Sequence, residues 1–219
     1  MLVVFFGVQI VVGVVVGIIA GVAGASMAIA IAIATVISFL ACVFAIPLFV
    51  QAWGGRPWRS RIGLKILGLS STSSAQLTFG AIAGFALAVL LAGLMAAWPV
   101  PDDFKPGPVA ELIADSKTAH LIFAIGAVLL APLVEEMTFR GTMYAGLRKR
   151  LRPAGAAISI TALFTVIHFS EIWGYWPAIV AIGTLSAGTM AFRMGTGSAR
   201  PAIMMHFVYN LVVTFVPAF

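Results

Sequence analysis

Charged residues are scarce in this chain: Asp, Glu, Lys and Arg make up only 9% of 219 residues, against 62% apolar types and a mean hydropathy of +1.11. That deficit excludes an ordinary water-soluble domain, in which about a quarter of the residues carry charge. Cysteine is nearly missing too. Cys42 is the one thiol and lies inside an apolar run, so there is no disulfide framework and Cys42 reads as packing. No fixed-period repeat and no low-complexity tract breaks the chain. The formal net charge of +6 does not indicate nucleic acid, because the basic residues fall in short clusters between apolar runs, as membrane orientation alone requires.

A hydrocarbon core of roughly 30 Å takes about 20 apolar residues per helix. Seven stretches qualify: 2–22, 27–50, 78–98, 118–147, 154–169, 177–192 and 201–219. The expected fold is therefore all-α, a polytopic transmembrane helical bundle of about seven spans, with residues 1–219 forming one integral membrane domain. The first stretch is expected to be a span rather than a cleaved leader: no Lys or Arg precedes it, and it is longer than a leader's apolar region of about 7 to 15 residues. Basic residues follow the second span (Arg56, Arg59, Arg61, Lys65), the fourth (Arg148, Lys149, Arg150, Arg152) and the sixth (Arg193, Arg200), whereas Asp102, Asp103, Glu111, Asp115 and Glu171 occupy alternate loops. The positive-inside rule then puts the basic loops in the cytoplasm, in a cell (inner) membrane. Trp53, Trp58 and residues 62–67 read as an interfacial belt with a short surface helix that anchors the protein.

Against this background two adjacent acids, Glu135 and Glu136, stand inside the fourth apolar stretch. An intramembrane carboxylate costs roughly 3 kcal/mol or more on insertion scales and marks a functional site by default. Glu136 and Arg140 are at i and i+4, so they pair along one helix face. Glu135 is rotated from Glu136 by about 100° and must find its partner on another helix. Two of the three histidines, His168 and His206, also lie in apolar segments, while His120 beside Lys117 reads as interfacial. Glu135 lies 15 residues before Arg150 and His168 lies 15 residues after Pro153, so an antiparallel hairpin sets them at similar depth. His206 and Asn210, at i and i+4, share a face of the last span. Singly, an intramembrane His or Asn is interhelical glue more often than a catalyst, and Phe164 reads as core. Together, Glu135, Glu136, Arg140, His168, His206 and Asn210 make a candidate cluster. Simple span topology nevertheless sets His168 near one membrane face and His206, five residues beyond Pro201, near the other. They meet only if the fourth and fifth spans project past the surface and residues 169–176 turn back into the bundle.

Three ordered motifs, Glu-Glu-x-x-x-Arg at Glu135, Glu136 and Arg140, Phe-x-x-x-His at Phe164 and His168, and His-x-x-x-Asn at His206 and Asn210, resemble those of the CPBP family of intramembrane proteases. That family includes the type II CAAX prenyl endopeptidases and the bacteriocin-processing and immunity-associated Abi proteins. The resemblance covers a motif-bearing core at 118–210. It implies an endopeptidase whose nucleophile is a water deprotonated by Glu135 with His168 beside it, while His206 and Asn210 polarise the scissile carbonyl. Glu136 and Arg140 would hold the helix and set the field around Glu135. In a metalloprotease version, Glu135, His168 and His206 would ligate zinc. His-Glu-x-x-His is missing, so zinc is permitted rather than indicated. The implied partner is a peptide or lipidated-protein substrate, met among membrane lipids on the cytoplasmic side. A proton-coupled transporter and a catalytically silent membrane scaffold are the alternatives from other classes.

Overall fold

The structure is a computed structural model that describes residues 1–55, 57–102, 104, 105, 107, 111, 114 and 116–215, and of Glu171 the backbone alone. Three of the loop charges read from the sequence, Arg56, Asp103 and Asp115, therefore lie outside the described residues, as does 216–219 at the end of the seventh stretch. Among the described residues the secondary structure is helical, without strands. The helices are α1 (Leu2–Ala23), α2 (Met27–Gly54), α3 (Arg61–Ile66), α4 (Ser74–Ala97), α5 (Lys117–Leu147), α6 (Pro153–Ile167), α7 (Phe169–Ile172), α8 (Trp176–Thr196) and α9 (Arg200–Phe215). Five of them, α1, α2, α4, α5 and α8, are long and apolar enough to cross a membrane. With 15 and 16 residues, α6 and α9 are shorter apolar helices and complete a bundle of about seven spans. Val14, Ile18, Phe44, Leu48, Phe85 and Leu90 stand exposed on α1, α2 and α4, which is the arrangement of a helix solvated by lipid rather than water.

Local chemistry sets the helix ends. Gly24, at φ 66°, closes α1: its N–H and that of Ala25 reach back to the Gly21 and Ala20 carbonyls, and the chain turns directly into α2. In the resulting hairpin Cys42 is fully buried with its thiol near the Phe5 carbonyl, in agreement with a packing role. Ser73 and Gln76 cap α4 reciprocally.

Helices α4 and α9 approach closely. The basis is Gly80-Ala81-Ile82-Ala83-Gly84, a Gly-x-x-x-Gly step whose glycines leave room for the backbone of α9; a methyl group on Gly80 or Gly84 would run into the Pro201 or Met205 carbonyl oxygen. Gly84→Leu is therefore expected to lower the detergent-solubilised protein's stability by at least 1–3 kcal/mol, the range for overpacking. Thermal melting followed by loss of monodisperse elution checks it, and an unchanged midpoint would remove this contact from the account.

Three sequence expectations are corrected. Arg193, counted as a loop cation, belongs to the last turn of α8 and is buried; its Nε donates to the Arg140 carbonyl at 2.8 Å and its Nη1 to the Gly197 carbonyl. The segment around α3 does more than anchor the surface: Leu67 is fully buried, and the Leu67 carbonyl lies so close to Gly141 of α5 that only hydrogen fits between them. The depth conflict that simple span topology sets between His168 and His206 does not keep them apart: both line one cavity. The turn between α8 and α9 is recessed: Ser198 and Ala199 are fully buried, with the Ala199 N–H donating to the Gly68 carbonyl at 2.6 Å and the Ser198 hydroxyl to the Ser70 carbonyl at 2.8 Å. Residues 169–176 fold back as α7 and bury Tyr175, whose hydroxyl donates to the Trp98 carbonyl at 2.7 Å.

Candidate functional site

The acidic pair occupies a six-residue α-helical stretch, Ala131–Glu136, between two π-helical turns of α5, Gly126–Leu130 and Met137–Met143. π turns concentrate at functional sites because each wide turn leaves a carbonyl without its usual partner. Here the cause of the first is visible. The Ala131 N–H reaches back to Gly126, and the next residue, Pro132, has no N–H to offer, so the Ala127 carbonyl is left without a donor along its own helix. Asn210 of α9 supplies one: its Nδ2 donates to Ala127 O at 2.8 Å. In the second π turn the Tyr144 N–H bonds the Phe139 and Gly141 carbonyls, and the Arg140 carbonyl accepts Arg193 Nε from α8.

Glu136 and Arg140 are both fully buried, with Arg140 Nε 3.2 Å from Glu136 Oε2. That contact is an ion pair rather than an aligned hydrogen bond, since neither atom meets hydrogen-bond geometry. The guanidinium is held otherwise. Its Nη2 donates to the Ser186 carbonyl at 3.0 Å and to the Ser186 hydroxyl at 2.8 Å, and its Cζ lies 4.5 Å from the Phe164 ring centre. Glu136 turns its other oxygen to α9, accepting a hydrogen bond from His206 Nδ1 at 3.0 Å. This contact fixes which imidazole nitrogen faces inward: Nδ1 carries the bonded proton, and Nε2 points to Glu135, 4.0 Å from its Oε2. A gap of that size exceeds a direct hydrogen bond and fits one water between them. His168 is held the same way, Nδ1 donating to the Phe164 carbonyl at 2.7 Å, which leaves Nε2 free.

Glu135, His168, His206 and Asn210 line one cavity of about 470 Å³, together with Phe164 and with Gln9 and Thr35 from the first two helices. Glu135 keeps 12% of its side chain accessible, whereas Glu136 and Arg140 are sealed behind it. Phe164 stands between the two imidazoles: its ring lies 6.1 Å from that of His206, 4.5 Å from that of His168 and 5.2 Å from that of Phe139. Sequence reasoning did not anticipate Ser186, Arg193, Gln9 or Thr35. Pro132 and the Gly-x-x-x-Gly step were the legible signals for two of the missed features, the first π turn and the α4–α9 contact.

Zinc held by Glu135, His168 and His206 can be tested on the same geometry. The donor chemistry is suitable, because each imidazole has its Nδ1 tied to an oxygen, as ligand histidines do. The spacing is not: among the described residues no three His, Cys, Asp or Glu side chains stand close enough to share a metal ion. The residues as they stand do not assemble that centre, and no chemical step below passes through a metal.

The fold and cavity define a multi-pass helical membrane protein with a sealed ion pair backing an accessible carboxylate and two oriented imidazoles. Over residues 117–212, from α5 into α9, the chain matches the family model described as Rce1-like, type II CAAX prenyl endopeptidase Rce1-like. The resemblance read from the three motifs is thereby borne out, and the match indicates a protease of the CAAX type in general. Neither a curated protein nor a solved structure matches the chain.

Proposed function

We propose that the cavity hydrolyses a peptide bond of a prenylated CAAX-type terminus, or of a leader or membrane peptide, with water as the nucleophile. The observation that carries the reading is the placement of Glu135: an accessible carboxylate 4.0 Å from His206 Nε2, next to a fully buried second acid whose charge is already matched. Glu135, with His168 lining the same cavity, takes a proton from water. The hydroxide adds to the scissile carbonyl carbon, and the oxyanion faces His206, which Glu136 holds through Nδ1. Asn210 has one amide N–H left for the same oxygen after bonding Ala127. The proton on Glu135 then passes to the departing amine nitrogen as the C–N bond breaks. Glu136 and Arg140 touch no substrate in this scheme; they position His206.

We also propose that 1–219 acts as one membrane domain with the site toward the cytoplasmic side, as the exposed cluster of Arg148, Lys149 and Arg150 favours. Purified protein in liposomes tests the assignment. Cleavage of a fluorogenic farnesylated peptide without accompanying proton flux is expected, and it should persist under a chelator in protein carrying no stoichiometric metal. Proton flux without cleavage would favour a transporter. Loss under chelation restored by zinc would overturn the metal-free scheme, and a thiol reagent reaching a cysteine placed in loop 148–152 from outside the cell would reverse the orientation.

A further inference from the structure

We propose that Gln9 of α1 binds the peptide backbone of the substrate beside the scissile bond; the proposal rests on the reading of the cavity as a peptide-cleaving site. Gln9 is the one polar side chain in the 22 residues of α1. An amide in a helix otherwise built for lipid is disfavoured unless another group meets it. Among the described residues none does. No hydrogen bond among the described residues involves the Gln9 side chain, while Thr35 donates to Ile31 at 2.9 Å, Ser38 to Thr35 at 2.8 Å and Asn210 uses one amide N–H on Ala127 at 2.8 Å.

Its position supplies the missing partner. Gln9 lines the cavity that holds Glu135, His168 and His206, and it also lines an adjoining cleft of about 250 Å³ between α1 and α2. The cleft is open beside Gly13 and Gly17, where an added methyl group would meet nothing within 4 Å. Gln9 thus stands where an apolar approach along α1 and α2 meets the polar groups of the site. A carboxamide offers one acceptor and a pair of donors, which matches the C=O and N–H of an extended peptide and does not match a lipid chain.

The test measures binding apart from turnover. A fluorescent farnesylated peptide with a CAAX terminus is titrated against the Glu135→Gln protein and against Glu135→Gln with Gln9→Leu, and the titration is repeated with each peptide N–H methylated in turn. Loss of one hydrogen bond corresponds to roughly tenfold in affinity. Gln9→Leu should weaken the unmodified peptide by about that factor, and methylation at one position should weaken binding to the Gln9 protein while leaving the Leu variant unaffected. A merely structural role would lower affinity equally at every methylated position and would show as a lowered melting temperature. Equal affinity of the two proteins, or additive losses throughout, overturns the role of Gln9 and leaves the cavity's assignment intact. Failure of both proteins to bind the peptide overturns the assignment and Gln9 with it.

Discussion

Glu135→Gln is expected to lower peptide cleavage by a factor of roughly 10² to 10⁴, the range for loss of a general base, while the protein melts where the wild type does. The substitution keeps the size and the hydrogen-bonding capacity of a partly accessible side chain and removes only its basicity. Arg140 is not stranded, because its contact with Glu136 remains. Wild-type activity in Glu135→Gln would remove this carboxylate from the chemistry. A large fall in melting temperature would make it a structural acid instead.

The opposite split is expected one helical turn along. Arg140→Leu deletes the cation between Glu136, the Ser186 hydroxyl and the Phe164 ring, all inside a fully buried environment. It leaves the Glu136 carboxylate buried without its ion partner, at about 3–5 kcal/mol. Adding Glu136→Gln to Arg140→Leu should recover part of that loss, since a carboxamide oxygen still accepts the His206 Nδ1 proton and position 136 no longer carries an unpaired charge. Unfolding by a graded denaturing detergent checks the order wild type, double variant, single variant. A double variant less stable than either single one would show that Arg140 and Glu136 act independently. Activity should fall in both variants through a misplaced His206.

Much of this site was legible because intramembrane polar residues are few. The i, i+4 spacing of Glu136 and Arg140 assigned their pairing, and the same spacing put His206 and Asn210 on one face, which the structure shows reaching toward α5. The assignment of particular partners was less accessible. The histidine that stands 4.0 Å from Glu135 is His206, and its place depends on where α9 begins. Its start is set by hydrogen bonds from Ser198 and Ala199 to Gly68 and Ser70, about 130 residues away in sequence, which no local pattern encodes. Arg193 was misread for a related reason: a positive-inside count treats every cation near a span end as solvated, and this one is consumed by two backbone carbonyls. Pro132 stood in plain view inside the fourth stretch. Its consequence, an unpaired Ala127 carbonyl awaiting Asn210, follows only once the neighbouring helix is known.

Mass spectrometry of the products that purified protein forms from a farnesylated peptide with a CAAX terminus tests the central claim most directly. The expected result is a released C-terminal tripeptide and a complementary product ending in a free carboxylate on the prenylated cysteine, both missing when Glu135→Gln is incubated in parallel. An intact peptide after incubation with folded wild-type protein, or the same products from Glu135→Gln, would contradict it.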